Sequence, residues 1–195
     1  MLATLTGPSG IGKGFVTEYL LARFPQIQEL IWTTTRLLRP TEKGKTNRLR
    51  VEAEEFLARR ERERDDIRCT HQVHGHWYGL SSEQINRLNH AVFLTEAHVD
   101  NLGDVRRVVR SAPICAIALV TDDLQLLETR LRVHRKTKSD EEVGQRLAAA
   151  TRELLYLCDH REAFDLVVGV SSANESQIAT NIGDFLAHRI GGHHA

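Results

Sequence analysis

Hydrophobic and polar positions along the chain alternate between short, densely apolar runs and longer stretches in which apolar residues recur every three or four places. The short runs predict strands at residues 2–6, 30–34, 91–95, 114–120 and 166–170. The longer ones predict helices at 14–23, 82–89, 100–110, 123–132, 140–157 and 175–189. Strands alternating with helices at this rhythm build βαβ units, hence a mostly parallel sheet with helices on both faces. Ligands of such sheets sit at the carboxyl ends of the strands. Two segments break the rhythm. Residues 35–78 hold short, polar, arginine-rich pieces and one helix starting near Glu52, an excursion from the sheet; residues 130–140 form a basic stretch without apolar periodicity, expected to be a mobile flap.

The first strand runs straight into Gly7-Pro8-Ser9-Gly10-Ile11-Gly12-Lys13, and a helix follows. This is the Walker A context: the glycines let main-chain N–H groups turn inward, the helix N-terminus adds partial positive charge, and Lys13 reaches the outer phosphates of a nucleotide. The loop therefore predicts an ATP site over Gly7, Pro8, Ser9, Gly10, Ile11, Gly12, Lys13 and Gly14. Position 14 departs from the pattern, because Gly14 has no hydroxyl for Mg²⁺. Thr17, a turn further on, is a poor substitute, so magnesium is expected to be held largely by phosphates and water.

With 195 residues the chain makes one well-filled domain, and its 26 basic residues balance its 26 acidic ones. No net positive field draws it to a nucleic-acid backbone, and no apolar run approaches the roughly 20 residues that span a bilayer. Three cysteines at unrelated spacings form neither a disulfide framework nor a metal knuckle, which points to a reducing, cytoplasmic setting. The histidines at 71, 74 and 76 lack an accompanying ligand set for a structural metal. Local charge is less even: residues 36–50 carry six Lys or Arg against one Glu, either a solvated loop or an anion site.

Beyond the loop, the chain resembles guanylate kinases over nearly its full length. The matching pieces, in order, are Gly7–Lys13, Thr34-Thr35-Arg36 with Arg39 and Pro40, Glu54-Glu55-Phe56, Gly75-His76-Trp77-Tyr78-Gly79, and the stretch from Ser139 to Leu147 leading into three alanines. The resemblance implies an α/β P-loop NTPase fold, with a mostly parallel sheet flanked by helices and inserted acceptor-binding and lid subdomains. It implies one domain over 1–195, with a core at 1–32, 91–129 and 147–195, an acceptor-binding insert at 33–90 and a lid at 130–146. It also implies ATP and Mg²⁺ as cofactors and a small phosphorylated acceptor as partner, in a monomer or homodimer. Carried over by position, Arg36, Arg39 and Tyr78 hold the acceptor's phosphate, while Arg130, Arg135 and Arg146 close over ATP and the transferring phosphoryl. Paired guanidinium groups suit that task, since each grips a phosphate through two charge-assisted bonds.

The family's guanine-reading places are substituted: they hold Trp32, Arg48, Cys69, Leu80, Thr95 and Ala97. Arg48 adds a cation near the acceptor, and Asn47 offers hydrogen bonds. Glu96 ends a strand at a Walker B-like place, available to magnesium-bound water or an acceptor hydroxyl, or else serving as a helix N-terminal charge. The run from Thr46 to Phe56 resembles ribose 1,5-bisphosphate kinases, relatives that phosphorylate a sugar phosphate. Three functions follow: an ATP-dependent kinase acting on GMP or a related monophosphate; a kinase for a sugar phosphate; or a catalytically silent module such as the guanylate-kinase domains of scaffold proteins. The intact Lys13 loop and the lid arginines speak against the last.

Overall fold

Strand β1 (Leu2–Thr6) is buried at every position, as a central strand covered on both faces must be. It pairs in parallel with β7 (Val92–Glu96) and β8 (Ile114–Val120), and the sheet is completed by β2 (Ile27–Glu29) and β9 (Leu166–Gly169) in the order β2-β7-β1-β8-β9. These ranges come from a computed structural model that describes all residues except 39–47, 63–65, 74, 89, 111, 134–138, 173 and 192–195. Side chains alternate across β1. Ala3 and Leu5 pack against Val16 and Leu20 of α1 (Lys13–Arg23) and Ile178 and Ile182 of α7 (Glu175–Gly191). On the opposite face lie Leu2, Phe93 and Ala116, meeting α4 (Leu102–Val108) and the end of α6 (Asp140–Asp159).

The predicted strand at 30–34 is corrected here. Two strands stand in its place, Ile27–Glu29 in the parallel sheet and β3 (Trp32–Thr34) in a second one. Leu30 and Trp32 are both buried, so the apolar run is continuous although the chain changes sheets within it. The excursion at 35–78 also differs from expectation. It contributes β4 (Arg48–Arg50), α2 (Ala53–Arg60), β5 (Ile67–Val73) and β6 (His76–Ser81), and its strands join β3 in the order β4-β3-β6-β5. One face of this sheet is solvated, which gives the polar strands that hid it. A small core of Val51, Phe56 and Ile67 supports it, with Trp77 packed between Phe56 and the Arg60 guanidinium rather than presented to a ligand.

The sheet's other helices are α3 (Ser82–Arg87) and α5 (Leu124–Val133), and a 3₁₀ turn at Val99–Asn101 leads into α4. Of the flap expected at 130–140, Arg130 to Val133 instead continue α5 and Asp140 opens α6, while 134–138 lie outside the described residues. Ser139 caps α6, its hydroxyl accepting from the Glu142 N–H at 3.2 Å, and Asp140, Glu141 and Glu142 fill the first turn where acidic groups favour a helix start. No helix among the described residues is long and apolar enough to cross a membrane.

Candidate active site

The loop between β1 and α1 is shaped by its glycines. Gly7 sits at φ 147°, and a Cβ there would lie 2.6 Å from the Leu119 carbonyl oxygen of β8. Gly12, the residue before α1, is left-handed at φ 110°. Gly7→Ala is therefore expected to misplace the loop: nucleotide binding measured by calorimetry should be lost, and thermal unfolding should show a stability decrease of about 1–3 kcal/mol. Lys13 Nζ donates to the carbonyls of Gly7 and, at 3.1 Å, Pro8, which holds the ammonium across the loop's mouth.

Lys13 is common to three adjoining clefts. The largest, about 320 Å³, opens between the loop, α6 and the second sheet, and brings Ser9, Arg36, Tyr78 and Arg146 around the lysine. A smaller recess of about 150 Å³ continues toward Trp32, Arg48, His71 and Glu96. The third, about 290 Å³, lies on the other side of the loop among Gly12, Gly14, Phe15, Arg130 and Glu175.

Facing the loop across the largest of these clefts, the Arg36 Nε donates to the Tyr78 hydroxyl at 3.1 Å, and the Arg36 N–H donates to the Thr34 hydroxyl at 3.1 Å. The turn after β3 is thus tied to β6, with cation and phenol side by side. Arg146 extends from α6 and donates twice to Glu142 one turn earlier, at 2.8 and 3.0 Å. Arg130 is largely buried; it donates to the carbonyls of Ile11 at 3.0 Å and Gly10 at 3.3 Å and pairs with Glu175. It thereby braces the outer side of the phosphate loop while lining the third cleft. Arg39, Asn47 and Arg135 lie outside the described residues. Thr17 is buried at 4% exposure inside the core, with no hydrogen-bond partner for its hydroxyl among the described residues.

The Trp32 indole N–H donates to the Thr95 hydroxyl at 2.6 Å, so these two occupy each other. Cys69 and Leu80 are buried. Cys69 stands at φ 52° in an irregularity of the β5–β6 ladder, and burial, with Asp104 nearby, pushes its thiol up to about 12. That irregularity turns His71 inward, edge-on to Trp32 and stacked on Tyr78, and the Arg48 guanidinium lies 5.9 Å from the Tyr78 ring centre.

Burial lowers His71 to about 4; the Cys69 carbonyl opposes this, and the His98 and Arg48 charges reinforce it. His71 is thus neutral at pH 7. Its folded pKa lies below its unfolded value of 6.5, so the unfolded chain takes up the proton first. Stability is intact above pH 6.5 and falls as pH drops toward 4. A His71→Gln variant should show a flatter loss of stability over that interval, read from unfolding midpoints at stepped pH.

Sequence reasoning missed His71, Phe15 and Glu175. Nothing local marks them; they reach the clefts through the β5 irregularity, the exposed first turn of α1 and the start of α7. A phosphate loop on a β2-β7-β1-β8-β9 parallel sheet, with arginines converging from an inserted sheet and a helix, defines a P-loop phosphotransferase. No protein-family profile matches the sequence. Curated relatives do: guanylate kinase of Xanthomonas campestris pv. campestris (strain 8004) is 31% identical over 192 residues, covering 97% of this chain and 89% of the relative. That of Helicobacter pylori (strain ATCC 700392 / 26695) is 28% identical over 190 residues, with the same coverage. The crystal structure of guanylate kinase from Anaplasma phagocytophilum superposes with a TM-score of 0.70 at 22% identity, covering 97% of this chain and 85% of that one. A shikimate kinase from Acinetobacter baumannii shares the fold more distantly, at a TM-score of 0.51 and 16% identity. The chain belongs to the guanylate kinase family.

Proposed function

We propose that the protein transfers the γ-phosphoryl group of ATP to a nucleoside monophosphate resembling GMP, in the cytoplasm. The observation that carries this reading is the convergence on Lys13 of a phosphate loop, the Arg36–Tyr78 pair and Arg146. In it, the loop amides and Lys13 hold the donor's outer phosphates. Arg36 and Tyr78 hold the acceptor phosphate on the facing side, a task that Arg39 shares in this reading. Arg146, with Arg135, balances the charge that spreads over the moving phosphoryl, and Arg130 fixes the loop. Phosphoryl transfer asks chiefly for alignment and charge neutralisation, which these groups supply without a strong general base. The residues fit a magnesium ion held mainly by nucleotide phosphates, which would lend the donor further positive charge. The chain works as a monomer or homodimer in this scheme.

A second reading, a kinase for a sugar phosphate such as ribose 1,5-bisphosphate, is favoured by the recess. Trp32 and Thr95 satisfy each other, and Arg48 stands beside Tyr78 where a base reader would be expected. Each lost bond to a base edge costs about 1 kcal/mol or more in discrimination, and a second acceptor phosphate suits the extra cation. ADP release screened over nucleoside monophosphates and phosphorylated sugars, with Lys13→Ala as control, separates the readings. Preferred turnover of GMP supports the first and preferred turnover of a sugar phosphate the second. ATP binding without turnover of any acceptor would leave a silent binding module.

A further inference from the structure

The position after the loop lysine is Gly14, so α1 offers the nucleotide's metal no hydroxyl there. The nearest alternative on the helix, Thr17, is buried in the core. A different group stands in that space. The parallel register sets Glu96 level with Leu5 at the end of β7, beside the strand that feeds the loop. Its Oε1 lies 3.8 Å from where a Cβ on Gly14 would sit, and among the described residues, apart from Gly14's chain neighbours and its own helix backbone, it is the one atom within 4 Å of that point. Glu96 lines the recess together with Gly7 and Lys13, and its carboxylate makes no hydrogen bond or ion pair among the described residues. Among those residues, no group of three or more His, Cys, Asp or Glu is placed to hold a metal by itself. A single carboxylate completed by substrate phosphates is how proteins commonly bind Mg²⁺.

We propose that Glu96 is the protein's anchor for the magnesium of the bound nucleotide, directly or through a coordinated water, in place of the hydroxyl that Gly14 lacks. This rests on the donor-site reading above and deepens it. The electrostatics give it a two-sided signature. A carboxylate facing a bare polyphosphate repels it, and a divalent cation between them turns the repulsion into attraction. Glu96 therefore weakens the binding of metal-free nucleotide and strengthens that of its metal complex. A residue that merely supports the fold would weaken both.

The test is calorimetric binding of the non-hydrolysable analogue AMPPNP in EDTA and in excess Mg²⁺, with Mn²⁺ affinity of the protein–AMPPNP complex followed by electron paramagnetic resonance. Wild type should bind more tightly with metal. In Glu96→Gln the ratio of the two affinities should fall by about ten-fold or more, with metal-free binding unchanged or tighter. Adding Gly14→Ser should restore part of the ratio, because the space there is open to a serine. If Glu96→Gln does not fold, Glu96→Asp, which keeps the charge but draws it back by one methylene, should also lower the ratio. A ratio within two-fold of wild type in the folded variant overturns the anchor while leaving the donor site standing. Failure of wild type to bind AMPPNP under either condition overturns the donor site and the anchor with it.

Discussion

Replacing Lys13 with alanine is expected to lower kcat by about 10³-fold while leaving the fold in place. The ammonium sits where the three clefts meet, and in the proposed mechanism its charge acts on the phosphoryl group as it leaves the donor rather than on the stability of the loop. Removing one preorganised charge-stabilising donor costs on the order of 10²–10³ in rate, and a full cation at the transferring group belongs at the upper end. The bonds lost include those to the Gly7 and Pro8 carbonyls, which can turn to water. Unfolding temperature should therefore change by no more than a few degrees, and circular dichroism should match wild type. The measurement is steady-state ADP release at saturating acceptor; unchanged kcat in a folded Lys13→Ala protein would refute the mechanism.

Arg36→Ala is expected to raise the acceptor's KM by about 10- to 100-fold with a smaller change in kcat. In the proposed mechanism Arg36 serves the acceptor: it reaches Tyr78 across the β3–β6 pair and is positioned by the Thr34 hydroxyl. Its bonds to an acceptor phosphate would exist in the ground state as well as in the transition state, which is why the loss falls on KM. Charge-assisted hydrogen bonds contribute about 1.5–3 kcal/mol each, which sets the range. Arg36→Lys should fall between, since it keeps the charge but not the planar fork. Initial rates against acceptor concentration, with ATP saturating, decide it. A wild-type KM for whichever acceptor is turned over best would remove Arg36 from the acceptor site.

The phosphate loop, β1 and β8 were legible because each is encoded within a short stretch: the loop by its glycine spacing, the strands by unbroken apolar runs. The second sheet was not. Strand β4 is Arg-Leu-Arg, and β5 carries Arg68, His71 and Gln72, so neither shows an apolar run, and its pairing depends on partners far along the chain. Arg36 could be named as a candidate from the resemblance, but its tie to Tyr78 spans 42 residues. Arg130 was expected in a flap and lies within α5, bracing the loop, because Leu127 and Leu131 beneath it are buried and hold the helix to the sheet.

By itself, the sequence determined the parallel α/β core, the phosphate cradle and the lysine within it, since all of these follow from local geometry and apolar periodicity. Only the tertiary structure decided what surrounds that lysine: Trp32 engaged with Thr95, His71 turned inward and kept neutral, and Glu96 beside Gly14. These are contacts between residues 63 and 82 positions apart or set by a ladder irregularity. The chain's order carries no record of such distances until burial of both sheet faces forces the separate segments together.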